Sequence, residues 1–528
     1  MNFALPRYYY PLNTPHDPIE VEAEVCIYGA TSPGIAAAVQ LAQKGHRVVV
    51  ADFGRRVGGL TAGGLGATDI GNKDAIGGFS RHFYGLLGRH YGKKESWTFE
   101  PGVAEQTFLS LLSDHEIPVY FERRLHAVCK DRARIEKLIF ENGDVFHAKL
   151  FIDATYEGDL LARASVSFHV GRESNETYDE AYNGVCFGHP NHNFKLAVDP
   201  YIEEGQPNSG LLPGISPEPV AAQGSRDHMV QAYNFRACLT NVAANRIAFP
   251  QPANYDPQRY TLLARYLRAG IWDVMNLSTP MPNGKTDTNN FGAFGTDNIG
   301  ANHAYPNGDY ALRERIFQDH VTYQQGLFWF LANDTRVPLA VRAEMQEWGL
   351  PRDEYPETGH WSPQLYVREA RRMVSDFVMT EHHCVARFPV EDPVALAAYT
   401  MDSHNCQRIV RGGRVMNEGN VEIHGFPPYG ISYRSIMPRA VECSNLLVPV
   451  CLSASHIAYG SIRMEPVFMV LGQSAALAAT IALENNCPVQ RVDYSALRSL
   501  LLSEGQLLEW AQNDSPSKGY DCELPEHQ

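Results

Sequence analysis

The first clear pattern of apolar and polar positions lies between residues 21 and 52. An apolar run that ends at Tyr28 leads into a turn that contains glycine. Small apolar residues three and four apart follow, and then a second apolar run over 48–51. Continuous apolar runs predict buried strands, and the three-to-four spacing predicts a helix packed against them. The segment therefore predicts a strand–turn–helix–strand unit that ends at Asp52.

The turn carries glycines where a dinucleotide-binding βαβ unit requires them. Such a unit needs small residues where the helix packs on the sheet, a helix N-terminus aimed at a pyrophosphate, and a closing carboxylate for a ribose hydroxyl. The middle glycine of G-x-G-x-x-G is Thr31 here, which still offers a backbone N–H and a hydroxyl. The predicted contacts are Gly29, Thr31, Ser32, Pro33, Gly34 and Asp52. The alternative is a buried βαβ unit of another α/β protein, in which the glycines only form the turn.

Further elements follow from the same patterns. The glycine-dense segment 55–78 suits backbone that passes close to a ligand rather than a regular element. The pattern predicts a helix over 104–115, a strand near 119–121, a hairpin at Asn142-Gly143 and a buried strand over 148–154. Helices are predicted over 314–333 and 364–382, a strand over 446–451, and a helix over 465–484 with Pro466 in its first turn.

The order of these elements predicts the fold class and the domains. Residues 171–425 are rich in proline, asparagine, histidine and aromatic residues and in long loops, unlike the regular segments before and after them. We predict an α/β fold with a discontinuous Rossmann-like dinucleotide-binding domain and an inserted mixed α+β substrate domain. The predicted bounds are an arm over 1–20, the first part of the binding domain over 21–170, the insertion over 171–425, the second part over 426–510 and a tail over 511–528.

Composition and charge narrow the partners and the compartment. A net charge of −15 argues against nucleic acid and anionic membrane surfaces as partners. No apolar run reaches the ~20 residues that cross a bilayer, and the stretch 467–483 is predicted to be a buried helix. The first 24 residues lack the pattern of a secretory signal, and the ten cysteines lack C-x-x-C spacing, which together predict a cytoplasmic protein. The N-terminal prolines and tyrosines predict an extended arm that lies on the fold or on a partner subunit in a homodimer.

Three more segments indicate which dinucleotide is bound. Arg56-Val57-Gly58-Gly59 lies just after the second strand, Asp153-Ala154-Thr155 closes the apolar strand, and 472–479 (GQSAALAA) begins within the last apolar helix. With the strings GGLTAGGLGATDIG, YQQGLFWFLAND and SASHIAYGSIRMEPVFMVLGQSAA, the chain resembles bacterial FAD-dependent oxidoreductases that are sometimes labelled xanthan lyase-related. They belong to the flavoprotein type with two dinucleotide-binding domains. The resemblance covers roughly residues 24–506.

The resemblance implies non-covalent FAD and a set of contacts for it. In addition to the turn, these are Phe53, Arg56, Gly58, Gly59, Leu60, Thr61, Asp153, Ala154, Thr155, Asp159, Glu465, Gly472 and Ala475. Three positions depart from the pattern: Thr31, Asp52 where glutamate is commoner, and Tyr156 in place of a glycine. Only one glycine fingerprint is found, so we expect the substrate rather than NAD(P)H to reduce the flavin. The electron acceptor stays open between oxygen, a quinone and a carrier protein. No metal site is expected, since His189 and His192 lack a nearby carboxylate.

Hydride removal from carbon needs a base for the departing proton. Our first candidate is His456, with Tyr459 and Arg463 beside it, because the resemblance places this stretch near the flavin ring. The alternative is a histidine that braces a buried turn, and for Arg463 an ion pair with Glu465. The second candidate is His404 with Asp402 as its orienting carboxylate, in a segment that also holds Ser403 and Arg408. The arginines Arg368, Arg371 and Arg372 have helical spacing and suit either an anionic substrate or a domain interface.

We therefore expect an FAD-dependent oxidoreductase that takes a hydride onto flavin N5 from a small polar molecule. Asparagine and tryptophan residues of the insertion, such as Asn289, Asn290 and Trp361, suit a hydroxylated, carbohydrate-like or amine substrate. One alternative is a redox-neutral lyase or isomerase that works through transient oxidation. The other is a non-catalytic or electron-transfer subunit that binds FAD.

Overall fold

The structure, a computed structural model, describes residues 6–10 and 17–510. Its first part contains most of one large sheet and the helices around it. The elements are β1 (Glu20–Tyr28), α1 (Ser32–Gln43), β2 (Val48–Ala51), α2 (Gly59–Ala62), α3 (Gly78–His90), α4 (Pro101–Asp114), β3 (Val119–Tyr120), β4 (Leu125–Asp131), β5 (Arg134–Phe140), β6 (Val145–Asp153) and α5 (Asp159–Arg163). The predicted helix over 104–115 and the strand near 119–121 are confirmed.

The large sheet has the strand order β3-β2-β1-β6-β5-β4. β1 pairs in parallel with β2 and β6, whereas β5 pairs antiparallel with β6 around the predicted hairpin at Asn142-Gly143. The predicted strand over 148–154 is the second half of β6. Because parallel strands end at the same edge, Gly29, Asp52 and Ala154 meet there, as the Rossmann-like prediction requires. The predicted α/β class is confirmed.

Two glycines allow α1 to pack closely on its neighbours. A Cβ at Gly34 would lie 2.0 Å from the Gly29 carbonyl oxygen, and one at Gly472 would lie 2.2 Å from the Pro33 carbonyl oxygen. Neither neighbour can move, since both are backbone atoms. The small residues of the fingerprint are therefore required by the fold itself, in agreement with their spacing in the sequence.

The middle of the chain consists of short elements between long loops. They are β7 (Phe168–His169), α6 (Asn175–Tyr178), β8 (Ala237–Thr240), β9 (Arg246–Ile247), α7 (Thr261–Arg268), β10 (Pro280–Met281), β11 (Lys285–Thr288), α8 (Tyr310–Asn333), α9 (Leu339–Glu347), β12 (Leu350–Pro351), β13 (Arg372–Met373), α10 (Glu381–Cys384), β14 (Pro393–Ala397), β15 (Met401–Ser403), β16 (Gln407–Arg411), β17 (Arg414–Glu418), β18 (Val421–Ile423) and β19 (Tyr429–Ser432). The predicted helix over 314–333 is confirmed within α8.

The predicted helix over 364–382 is wrong. This segment is irregular apart from the two-residue strand β13 and the start of α10. Its buried arginines point to different neighbours: Arg368 bonds Asp297, Arg371 bonds Asp159, and Arg372 bonds Glu173. A regular helix would not let these three arginines reach three separate carboxylates. The ion pairs therefore determine the irregular backbone here, despite the helical spacing of the arginines.

The chain then returns to the large sheet. The elements are β20 (Leu446–Leu447), α11 (His456–Ile462), α12 (Glu465–Glu484) and α13 (Tyr494–Ser503). β20 pairs in parallel with β6, and the predicted strand over 446–451 is reduced to these two residues. Within the described residues, α12 is the one helix long and apolar enough to cross a membrane, but 94% of its most apolar stretch is buried inside the protein. The prediction of a buried helix is confirmed.

Candidate functional site

The glycine turn is built around Thr31, which replaces the usual glycine. Thr31 caps α1: its hydroxyl donates to the Ala154 carbonyl oxygen at 2.6 Å and accepts from the Gly34 N–H at 3.4 Å. The preceding Gly29 has φ of +111°, a conformation that favours glycine. The hydroxyl thus ties the turn to the end of β6. Thr31 therefore has a structural role in this turn, as the N-cap of α1.

Asp52 closes the unit at the end of β2, as predicted. Its two carboxylate oxygens accept hydrogen bonds from the Ala30 N–H and the Gly54 N–H, each at 2.6 Å. Burial raises the pKa of this carboxyl above its usual value, while the two backbone N–H groups act in the opposite direction. The carboxylate therefore holds the ends of β1 and β2 together beside an opening at this edge of the sheet.

That opening, here called the dinucleotide cavity, has a volume of about 520 Å³. It lies along the glycine turn, the end of β2 and the glycine-dense segment. It is lined by Pro6, Arg7, Tyr8, Tyr10, Ala30, Thr31, Asp52, Phe53, Gly54, Arg55, Arg56, Val57, Gly59, Ala62, Gly63, Glu105, Tyr156, Glu157, Phe317, Glu357, Thr358, Pro363, Gln364 and Leu365. Of the predicted contacts, five line it: Thr31, Asp52, Phe53, Arg56 and Gly59.

Two observations show that the cavity suits a ligand with hydrogen-bonding groups. Glu157 is fully buried, and its Oε2 atom has no hydrogen-bond partner within the described residues. Burial raises the pKa of Glu157 to about 7, so its carboxyl takes a proton close to neutral pH. A Cβ at Gly59 would lie 2.3 Å from the Tyr156 hydroxyl, and Gly59 has φ of +52°, so glycine is favoured at this wall. The residues present fit a bound dinucleotide.

A small gap, here called the connecting cavity, shares Tyr156 and Leu365 with the dinucleotide cavity. It has a volume of about 10 Å³ and is lined by Leu60, Tyr156, Leu365, Tyr366, Val367, Arg368, Arg463, Glu465 and Phe468. Glu465 accepts hydrogen bonds from the hydroxyls of Ser32, Thr61 and Tyr156 at 2.5, 2.7 and 2.7 Å. Burial raises the pKa of this carboxyl. The alternative interpretation of Arg463 as the ion-pair partner of Glu465 is therefore wrong, since the Glu465 carboxylate accepts its hydrogen bonds from hydroxyl groups.

The connecting cavity shares Tyr366 with a third opening, here called the polar cavity. It has a volume of about 220 Å³ and is lined by Asp69, His192, Asn289, Asn290, Tyr366, Tyr399, Thr400, Asp402, His404, Glu422 and His424. No lysine or arginine is among these residues. Arginines lie behind the wall instead: Arg236 contacts Asp69 at 3.1 Å, and Arg463 contacts Asp402 at 2.8 Å. The wall offers mainly hydrogen-bond acceptors to whatever enters it.

His404 is held in the polar cavity by a chain of charged groups. Its Nδ1 lies 2.6 Å from Asp297 Oδ2, and Asp297 Oδ1 lies 2.9 Å from Arg368 Nη1. The other ring nitrogen, Nε2, lies 3.7 Å from Asp402 Oδ2 in the cavity wall. Burial lowers the pKa of His404, with Arg368 acting in the same direction. The carboxylate nearest to the His404 ring is thus Asp297, whereas Asp402, the partner expected from the sequence, lies farther away.

His456 lies in a closed network instead. Its Nδ1 lies 2.7 Å from Glu369 Oε2, and its Nε2 lies 3.1 Å from the Ser403 hydroxyl. Arg372 forms ion pairs with Glu369 and, at 2.6 Å, with Glu173. Burial lowers the pKa of His456 to about 3. It lines none of the three cavities described above, and both of its ring nitrogens have partners.

The comparisons with known proteins agree with this geometry. The sequence profile of the family described as FAD dependent oxidoreductase matches residues 24–501. The chain belongs to this family. The cofactor of this oxidoreductase is FAD. No curated protein matches the chain.

Solved structures match only a part of the chain. THI4 from Thermovibrio ammonificans is 20% identical over 29% of this chain and 66% of its own, with a TM-score of 0.22. The L-proline dehydrogenase from P. horikoshii is 12% identical over 30% of this chain and 59% of its own, with a TM-score of 0.24. A flavin monooxygenase from Stenotrophomonas maltophilia is 14% identical over 25% of this chain and 38% of its own, with a TM-score of 0.18. Each match spans less than two thirds of the solved protein.

The remaining predicted contacts of the oxidoreductase are not part of the lining of the dinucleotide cavity. Asp153 accepts from the Thr155 hydroxyl at 2.7 Å, and Asp159 forms ion pairs with Arg313 and Arg371. Leu60 and Glu465 line the connecting cavity. The others are outside the linings of the three cavities and support the turn or the packing of α12: Gly29, Ser32, Pro33, Gly34, Gly58, Thr61, Ala154, Gly472 and Ala475.

Three groups of residues were missed by the sequence reasoning. Asp297 is 107 positions from His404 and carries no local signal. Glu157 and Tyr156 follow a predicted strand end, and the departure at Tyr156 was the available signal. The arm residues around Tyr8 line the dinucleotide cavity. Conversely, Tyr459 and Arg408 are buried outside the linings of the cavities, and Trp361 is 1% exposed in the core.

Proposed function

We propose that this oxidoreductase oxidises a small polar molecule, bearing hydroxyl or amine groups, in the polar cavity. In this proposal His404, rather than His456, is the base. The observation that carries the proposal is the chain Arg368–Asp297–His404, which ends at a ring nitrogen in the wall of the polar cavity.

The chain fixes the protonation state of His404. Because Nδ1 donates its hydrogen to the Asp297 carboxylate, the lone pair of the neutral ring is on Nε2. Burial keeps the pKa of His404 below that of a free imidazole, so the ring is neutral at pH 7. Nε2 can then take a proton from a substrate hydroxyl or amine, and the positive ring that forms is stabilised by Asp297.

Removal of a hydride and a proton from the substrate is a two-electron oxidation and requires a two-electron acceptor. FAD, when bound, would supply this acceptor, because flavin N5 can take up the hydride that leaves the substrate carbon. The substrate C–H and O–H (or N–H) bonds break, a C=O (or C=N) bond forms, and the proton stays on His404. The connecting cavity supports this arrangement, since it shares Tyr366 with the polar cavity and Tyr156 and Leu365 with the dinucleotide cavity.

The wall of the polar cavity supports a substrate that donates hydrogen bonds. Asp69, Asp402 and Glu422 supply carboxylates, and the amides of Asn289 and Asn290 add further groups. An anionic substrate would meet these carboxylates without a cation in the lining. A neutral polyol, a sugar or an amine is therefore favoured over a carboxylic acid.

We further propose that the substrate reduces the flavin directly and that oxygen, a quinone or a carrier protein reoxidises it. A single glycine fingerprint in the sequence supports this, because NAD(P)H would require its own binding unit. Free cysteines throughout the described residues support a reducing compartment such as the cytoplasm.

The test is anaerobic reduction of the FAD-loaded protein by a panel of polyols, sugars, amines and carboxylic acids. Bleaching of the visible flavin band by polyols, sugars or amines, with one oxidised product per flavin, is expected. Bleaching by carboxylic acids alone would contradict the assignment of the polar cavity. Bleaching without an oxidised product would indicate the lyase or isomerase alternative, and reduction only by NAD(P)H or a partner protein would contradict direct reduction by substrate.

A further inference from the structure

Residues 6–10, here called the N-terminal strap, are fixed to one helix far away in the sequence. The Glu314 carboxylate on α8 accepts hydrogen bonds from the backbone N–H groups of Tyr8 and Tyr9, both at 2.8 Å. The Gln318 amide donates to the Pro6 carbonyl oxygen at 2.8 Å. Arg313 donates to the Tyr8 hydroxyl at 3.0 Å. The strap therefore has a defined position on the fold.

The strap also forms a wall of the dinucleotide cavity. Pro6, Arg7, Tyr8 and Tyr10 line it, next to the residues that follow β2. The Tyr8 ring lies 4.9 Å from the Phe53 ring, and Tyr8 is only 6% exposed. The Arg55 guanidinium lies 3.6 Å from the centre of the Tyr10 ring. In contrast, Tyr9 does not line the cavity but stacks on Tyr310 at 6.3 Å.

We propose that the strap binds the adenosine half of FAD. The inference is independent of the substrate and the base proposed above and needs only the FAD cofactor. Asp52, at the end of β2, is where a βαβ unit places the ribose next to the adenine. Tyr8, Tyr10 and Phe53 surround that part of the cavity with aromatic side chains, and an adenine ring packs well on such side chains.

The proposal gives the strap a role that the glycine fingerprint does not cover. The fingerprint holds the pyrophosphate and the ribose with backbone and carboxylate groups. The strap adds apolar contact for the base through Tyr8 and Tyr10. The loss of strap contacts should therefore weaken the binding of FAD but not of FMN, which lacks the adenosine half.

The experiment compares Tyr8→Ala with Tyr9→Ala in the full-length protein freed of flavin. Dissociation constants for FAD, FMN and ADP are measured by titration, with flavin or protein fluorescence as the readout. Tyr8→Ala is expected to weaken FAD and ADP binding by about tenfold, since base–aromatic contacts commonly contribute at this level. FMN binding should stay within about twofold. Tyr9→Ala, the matched control in the same strap, should leave FAD, FMN and ADP binding within about twofold.

Other outcomes are decisive as well. Unchanged FAD binding in Tyr8→Ala, or an equal loss for FAD and FMN, would overturn the proposal. If Tyr8→Ala does not fold by circular dichroism, Tyr10→Ala decides, because the Tyr10 ring is only partly buried and lies at the rim of the same wall. Tyr8→Phe keeps the ring and should retain FAD affinity within about twofold. If the wild-type protein itself binds no FAD, the cofactor assignment fails rather than the strap.

Discussion

Two histidines of this oxidoreductase lie in clusters of the same composition, and the difference between them decides which can act on a substrate. The His404 cluster joins an imidazole, the Asp297 carboxylate and the Arg368 guanidinium. The His456 cluster joins an imidazole, the Glu369 carboxylate and the Arg372 guanidinium. In both, the carboxylate lies between the imidazole and the arginine.

The second ring nitrogen differs between the clusters. In the His456 cluster it meets the Ser403 hydroxyl at 3.1 Å, so the network is closed. In the His404 cluster it faces the polar cavity, 3.7 Å from Asp402. The clusters are neighbours, since the Gln231 amide donates to Glu369 at 3.0 Å and accepts from the His404 backbone N–H at 3.3 Å. A carboxylate-paired histidine is thus a candidate base only where its free nitrogen reaches a cavity.

The largest expected effect is on the rate of flavin reduction. His404→Asn removes the proposed base and should slow anaerobic reduction by substrate by about 10²- to 10⁴-fold. FAD binding should be retained, since His404 does not line the dinucleotide cavity. Stopped-flow absorbance with saturating substrate measures the rate. A reduction rate within about threefold of wild type would exclude His404 as the base.

The orienting carboxylate is the next test. Asp297→Asn should slow flavin reduction by about 10²-fold, because the imidazole loses both its orientation and the charge that stabilises its protonated form. Asp297 also raises the pKa of His404, so the acid limb of the rate profile should move to lower pH in this variant. Asp402→Asn is the comparison, since this carboxylate lies farther from the ring. Equal effects of both substitutions would contradict the role of Asp297.

Breaking the closed cluster should instead affect stability. His456→Gln disturbs the hydrogen bonds to Glu369 and Ser403 and should lower the free energy of unfolding by about 2 kcal/mol. Flavin reduction by substrate should change by less than about threefold. Urea unfolding followed by flavin release and circular dichroism measures the first, and stopped-flow absorbance the second. A large loss of rate with unchanged stability would reverse the roles of the two histidines.

The smallest expected effect is the pH dependence of that stability. Burial lowers the pKa of His456 to about 3 in the folded protein, whereas an unfolded chain has a histidine pKa of about 6.5. Between these values the unfolded state binds the additional proton. The stabilisation is therefore fully present above about pH 6.5 and is lost as the pH falls toward 3. His456→Gln should decrease the dependence of the free energy of unfolding on pH. The measurement compares the free energies of unfolding of wild type and variant at pH 7 and at pH 5.

The residues around the dinucleotide cavity are easier to predict from the sequence than those of the polar cavity, for physical reasons. The glycine turn, Asp52 and the strands around them form one local unit whose packing constrains each position, as the 2.0 Å approach at Gly34 shows. The polar cavity is built from loops, and Asp297 is 107 residues from His404. Helical spacing also misled the prediction at Arg368, Arg371 and Arg372, because buried ion pairs set the backbone there. The strap was expected to lie on the fold or on a partner, and its contact with Arg313 spans 305 residues.

The most direct test of the account is the pH profile of anaerobic flavin reduction in wild type, His404→Asn and His456→Gln. We expect the wild-type rate to fall as His404 takes up a proton, at a pH below the ~6.5 of an unperturbed histidine, because burial lowers the pKa of His404. This acid limb should be kept in His456→Gln and absent from His404→Asn. An acid limb that persists in His404→Asn and disappears in His456→Gln would contradict the assignment of the base, and with it the polar cavity as the site of oxidation.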